Sequence, residues 1–160
     1  MQLNGPAARR VRPPRVGCIL PGVPKRVLIV DDEPSVLEVL RDFLSNPAPG
    51  LTYEVEAVPD GAAAIMKLLI GQFDLMLLDM HMPRMGGLEL LKQMQSLNIR
   101  VPVVMITANQ DIRNAAEALR AGVFAYVPKP FDFARLEHVV ALALSPTPPR
   151  PGGAAPATGA

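Results

Sequence analysis

The stretch FDLMLLDMHMPRMGG, Phe73 to Gly87, decides how this chain folds. It opens with a short apolar run, Leu75, Met76, Leu77 and Leu78, of the kind that fills a sheet covered on both faces. The run stops at a carboxylate, Asp79, and is followed by Pro83 and the pair Gly86-Gly87. Leu88, Leu90, Leu91 and Met94 then recur at helical spacing. Strand, polar strand end, turn and helix follow one another within about 25 residues, the size of one unit of a parallel α/β sheet.

The same unit repeats on either side. RVLIV (26–30) reads as a first strand, and Pro34 suits the first turn of a helix that carries Val36, Leu37, Val39, Leu40, Phe43 and Leu44 to Ser45. NPAPG (46–50) is a break, and TYEVEAV (52–58) alternates as an edge or half-buried strand does. Asp60-Gly61 opens a second helix with Ala64, Ile65, Leu68 and Leu69, and DLMLL (74–78) is the third strand. VPVVMIT (101–107) is the fourth strand, and Asp111 caps a helix that Gly122 ends. VFAYV (123–127) is the fifth strand, and Asp132 caps a last helix to about Leu144. Five strand–helix units predict an α/β fold, a doubly wound (βα)5 parallel five-stranded sheet with right-handed crossovers.

Composition sets the boundaries. The chain has 160 residues, 49% apolar and 19% charged, enough for one domain with its own core. Residues 1–24 and 145–160 are low-complexity, rich in Pro, Gly, Ala and, at the start, Arg. They are expected to be a basic flexible arm and a flexible tail around a domain spanning 25–144. Residues 1–26 hold six basic residues and no acid, leaving ten basic residues against 15 acidic ones in the remainder. An acidic folded part argues against a nucleic-acid surface there. Cys18 is the one cysteine, so no internal disulfide is possible. No apolar run approaches the roughly 20 residues of a membrane helix, and the expected location is the cytoplasm. The methionines at 76, 80, 82 and 85 read as gap-fillers around a strand end, and His138 as solvated.

In open α/β sheets ligands gather beyond the carboxyl ends of the strands. Asp31 and Asp32 follow the first strand, Asp79 ends the third, Thr107 ends the fourth, and Lys129 follows the fifth. Each is ordinary alone; together they converge on one crevice. Three carboxylates a few ångströms apart raise one another's pKa. Lys129 offsets one charge and a divalent cation would offset the other two. An all-oxygen donor set without a His or Cys cluster suits Mg²⁺. Such a site favours phosphoryl chemistry, with a carboxylate as nucleophile.

VLIVDDEP, DLMLLDMHMPRMGGLEL, VPVVMITA and AGVFAYVPKPF resemble, in this order, the receiver domain of two-component response regulators, from Lys25 to Leu144. The resemblance implies a flavodoxin-like fold with strand order 2-1-3-4-5. It implies that Asp79 accepts a phosphoryl group from a histidine kinase or phosphotransfer protein. Asp31, Asp32, Asp79 and the His81 backbone carbonyl would hold Mg²⁺. Thr107 and Lys129 would engage phosphoryl oxygens, Tyr126 would turn inward as a switch, and Lys129–Pro130 would be cis. His81 and Asn109 would tune the dephosphorylation rate. A downstream protein would dock on the fourth helix, fifth strand and fifth helix, roughly residues 111–144. Gly86 departs from the family, which often has an acidic residue there, so a looser loop is expected.

Two other readings compete. A Mg²⁺-dependent phosphohydrolase with an aspartyl nucleophile usually needs a second Asp two residues on, where His81 stands here. A receiver-like binding module that works without phosphorylation would lack one of the five polar residues, and all five are present. The expectation is therefore a stand-alone phosphoacceptor that is not a turnover enzyme, makes no direct contact with DNA, and touches no membrane.

Overall fold

The computed structural model describes residues 23–108 and 112–145. Ten elements alternate: β1 (Lys25–Val30), α1 (Pro34–Ser45), β2 (Tyr53–Val58), α2 (Gly61–Ile70), β3 (Leu75–Asp79), α3 (Gly87–Ser96), β4 (Val103–Thr107), α4 (Ile112–Arg120), β5 (Ala125–Pro128) and α5 (Phe133–Ala143). The strands form one parallel sheet in the order β2-β1-β3-β4-β5, as the resemblance implied.

Side-chain alternation divides the core in two. Leu28, Val30, Met76, Leu78 and Met105 face one way and pack with Ala64 and Leu68 of α2, Leu90, Leu91 and Met94 of α3, and Ala118 of α4. Val27, Ile29, Leu75, Leu77, Val104 and Ile106 face the other way, against Leu40 and Leu44 of α1 and Leu136 and Val140 of α5. Both faces of β3 are therefore covered, which is why its apolar run is continuous. Among the described residues no helix is long and apolar enough to cross a membrane.

The helix starts follow the sequence signals. The Asp60 carboxylate accepts from the Ala63 N–H at 2.8 Å, and that of Asp132 accepts from the Arg135 N–H at 3.2 Å. Pro34 stands in the first turn of α1. Gly122 follows α4 at φ +91°, a left-handed conformation that favours glycine. The expected Asp111 cap lies outside the described residues, as does most of the basic arm and nearly all of the tail.

Several strand boundaries move by one or two residues, and three of the moves have a backbone cause. β3 runs on to include Asp79, because the next N–H, that of Met80, still donates to the Ile106 carbonyl at 3.0 Å. β4 begins at Val103, not 101, since Pro102 has no N–H to give the ladder. Its carbonyl still accepts from Met76 N–H at 2.9 Å. β5 begins at Ala125, not 123, because the Val123 N–H is turned back to the Ala118 carbonyl at the end of α4.

The turn after β3 is tight. Gly87 N–H donates to the Met80 carbonyl at 2.9 Å, and a Cβ at Gly87 would lie 2.7 Å from the Asp79 carbonyl oxygen and 3.0 Å from Met80 Cα. Both are backbone atoms that cannot step aside. Gly86 is the N-cap of α3 and offers no side-chain cap, while a Cβ there would meet only the Met80 carbonyl at an ordinary 3.5 Å. The residue that departs from the family pattern thus leaves a cap unmade.

Two substitutions separate these glycines in urea unfolding. Gly87→Ala should destabilise by about 2 kcal/mol or more, through a clash with fixed backbone. Gly86→Asp should stabilise by a few tenths to about 1 kcal/mol, by supplying the missing cap. A neutral Gly87→Ala would show that α3 can shift away from the end of β3.

Candidate functional site at the carboxyl rim of the sheet

Parallel strands of similar length end together, so their last residues share one rim. Asp31 leaves β1, Asp79 ends β3 and Thr107 ends β4. All three are buried polar residues, Asp31 2% exposed and Asp79 4%. Lys129 follows β5, and its main-chain N–H donates to the Thr107 carbonyl at 2.6 Å. The ends of the two strands are thus tied by backbone. Lys129–Pro130 is cis, as expected.

The Lys129 ammonium reaches across the pocket. Its Nζ donates to Asp31 Oδ2 at 3.1 Å and lies 3.6 Å from Asp79 Oδ1. The other Asp31 oxygen accepts the Glu33 main-chain N–H at 2.9 Å. Asp32 is exposed beside them. Asp31, Asp32 and Asp79 each offer an oxygen, and these lie within 4.8 Å of one another. The donors are oxygens alone, clustered and partly withdrawn from water, so the residues present fit a hard divalent cation such as Mg²⁺.

The charges leave their mark on proton affinity. Burial pushes the Asp79 carboxyl up to about 6, and the Asp31 charge adds to this. Lys129 and a hydrogen bond from the His81 main-chain N–H pull the other way, and Asp32 raises it further. Burial alone would lower the Lys129 pKa, but its hydrogen bond to Asp31 and the charges of Asp31, Asp79 and Glu33 outweigh that and raise it.

The rim therefore brings together Asp31, Asp32, Asp79, Thr107 and Lys129. His81 is exposed beside them. Tyr126 is half-buried on β5 and packs against the core on the α2–α3–α4 side of the sheet. Asn109 lies outside the described residues. Reasoning from side chains passed over the backbone donors: the Glu33 N–H that fixes Asp31, the His81 N–H on Asp79, and the backbone clearance at Gly87. Main-chain groups are the same at every position, so they leave no signature in a sequence.

Comparison with known proteins agrees with this geometry. The family model described as the response regulator receiver domain matches residues 27–141. The regulatory protein AtoC of Escherichia coli (strain K12) is 40% identical over 119 residues, 74% of this chain and 25% of that protein. The response regulator MprA of Mycobacterium sp. (strain KMS) is 35% identical over 135 residues, 84% of this chain and 57% of MprA. The chain thus spans from a quarter to somewhat over half the length of these curated relatives. Among solved structures, a response regulator receiver domain protein (CheY-like) of Methanospirillum hungatei JF-1 superposes with a TM-score of 0.67 at 30% identity. That match covers 76% of this chain and 94% of that one. The expectation of no direct DNA contact draws no support from relatives of which the chain spans only a part. Fold, rim geometry and family match converge: the chain belongs to the response regulator receiver domain family of two-component systems.

Proposed function

We propose that the protein is a phosphoacceptor in a two-component relay, taking a phosphoryl group on Asp79 from a histidine kinase or phosphotransfer protein. The observation that carries this reading is the pair of buried carboxylates, Asp31 and Asp79, spanned by one ammonium at the rim of the sheet. Burying two carboxylates beside each other is unfavourable unless something is made of it. An Asp79 oxygen attacks phosphorus, the phosphorus–nitrogen bond to the donor histidine breaks, and the imidazole departs with the bonding pair and takes up a proton. Asp31, Asp32, Asp79 and the His81 carbonyl would hold Mg²⁺, which when bound neutralises charge on the transferring phosphoryl oxygens.

The remaining roles belong to the chain. Lys129 pairs with one phosphoryl oxygen and the Thr107 hydroxyl donates to another. Drawing Thr107 toward the phosphoryl group opens room for Tyr126 and alters the face of α4, β5 and α5, where a downstream protein docks. His81 and Asn109 set how readily water attacks the phosphoryl group. The domain over residues 25–144 acts in the cytoplasm as a signalling module and not as a turnover enzyme. A phosphohydrolase reading is disfavoured by His81 standing where the acid/base Asp would be.

Intact mass after incubation with acetyl phosphate tests this directly. Wild type should gain one phosphoryl group in a Mg²⁺-dependent way, and Asp79→Asn should gain none. A gain that survives in Asp79→Asn would remove Asp79 from its role.

The raised Asp79 pKa also fixes a sign. Between about pH 4 and pH 6 the folded protein holds a proton on Asp79 that the unfolded chain has released, so without Mg²⁺ the contribution of this carboxyl to stability is greatest at the acid end and is lost as pH rises through about 6. Asp79→Asn should flatten that slope and raise stability at pH 7 by up to about 3 kcal/mol, at roughly 1.4 kcal/mol per tenfold change in proton affinity. Thermal melts in a metal chelator at pH 5 and pH 7.5 check this; a wild type more stable at the higher pH would contradict it.

A further inference from the structure

Helices α2 and α3 run back along the sheet and deliver the chain to the amino ends of β3 and β4, opposite the Asp79 rim. The turns that follow them border an open groove of about 380 Å³, whose lining includes Leu68, Phe73, Ile99, Val101 and the exposed Asp74. The two most exposed large apolar side chains of the described residues, Ile70 at 79% and Val23 at 64%, both belong to this end of the molecule. Leu69 and Leu97 are exposed there too. Single apolar side chains on a surface are ordinary, but a group of them around a groove marks a surface that something covers.

The chain enters the fold at the same place. The Arg26 N–H donates to Asp74 Oδ2, and the Asp74 N–H donates to the Arg26 carbonyl, each at 2.8 Å. The Arg26 guanidinium donates to the Gln72 carbonyl at 3.1 Å and lies 4.8 Å from the centroid of the Phe73 ring. The start of β1 is thereby fastened to the groove wall, and Val23 emerges beside it. Val23 ends VGCILPGV (16–23), the most apolar stretch of the first 24 residues, which follows Arg9, Arg10, Arg12 and Arg15. Eight extended residues reach up to about 26 Å, whereas the last turn of α2 is only about 5 Å long.

We propose that residues 16–23 of this chain fold back over the amino end of the sheet and dock in this groove, with Ile19 and Leu20 covering the apolar surface around Ile70 and Leu97. Three features select this occupant over a separate molecule. The segment is tethered directly to the groove wall through the start of β1, so its local concentration is on the order of millimolar without any assembly step. It carries the apolar side chains that the groove lacks. Its charge also complements the domain: residues 1–26 hold six basic residues and no acid, against ten basic and 15 acidic residues in the remainder. Asp74 offers a carboxylate on the groove itself, while Arg100 on the same groove is directed to the Asn98 side-chain oxygen. The docking goes beyond the receiver reading and is independent of it. It closes the end of the core remote from Asp79, leaves the phosphoacceptor rim clear, and shortens the expected flexible arm to residues 1–15.

Cys18, the sole cysteine, reports on the docking in the full chain. Its alkylation by iodoacetamide, in dilute native protein, should be several-fold slower in wild type than in Ile70→Lys, which sets a charge in the covered surface at a side chain that the domain leaves exposed. Leu20→Ser should lose the same protection from the other side of the contact. Equal rates in the three proteins would overturn the proposal. Protection that appears only as protein concentration rises, with a matching gain in mass by sedimentation, would give the groove to a second copy and overturn docking within one chain. Thermal melts of the same full-length proteins supply a second reading. Ile70→Lys and Leu20→Ser should each lower the melting temperature by about 2 °C or more. Together they should lower it no further than either alone, because both break one contact. Additive effects, or none, would show that the two residues do not meet.

Discussion

Two carboxylates buried side by side at the end of a sheet repel each other, and the rest of this molecule is arranged around that repulsion. Asp31 and Asp79 are nearly inaccessible to water, and one ammonium spans them. Main-chain N–H groups of Glu33 and His81 supply the remaining stabilisation. Each support comes from a different part of the chain, so the cluster exists only when β1, β3 and β5 are correctly ordered. The apolar strands bring it together. β3 lies in the middle of the sheet, with packed side chains on both faces, so its last residue has little freedom to relax away from its neighbours.

The constraint explains the shape of the loop after β3. A residue held at the rim must be followed by chain that leaves at once, or the loop would cover it. Gly87 makes that departure possible, because α3 begins in contact with the Asp79 and Met80 backbone. Arg84, in the same loop, takes a positive φ of 69° without being glycine, a second sign of how sharply the chain turns.

Much of this was legible in the sequence, for physical reasons. Continuous apolar runs named the inner strands because both their faces are covered. The helix caps Asp60 and Asp132 were visible because capping needs a short side-chain acceptor at a fixed place. The five polar residues at the rim could be listed because strand ends in a parallel sheet must lie together. The hidden part was what backbone groups do. The start of β5 moved because Val123 N–H was claimed by the end of α4, and a hydrogen bond of that kind has no residue type to betray it. The place of Gly86 at the head of α3, a cap position left without an acceptor, was hidden as well.

The bond from Lys129 N–H to the Thr107 carbonyl, at 2.6 Å, joins two residues that sit on separate strands and are usually considered apart. It lies where the β4–β5 ladder ends, with Thr107 opposite Pro128 in register. Neither residue can travel far alone while that bond holds. A tug on the end of β4 is shared by the first residue beyond β5, and so by the start of the segment that leads into α5. The two strand ends behave as a single stiff lever, so the receiving side of the pocket and its outer flank respond as one body.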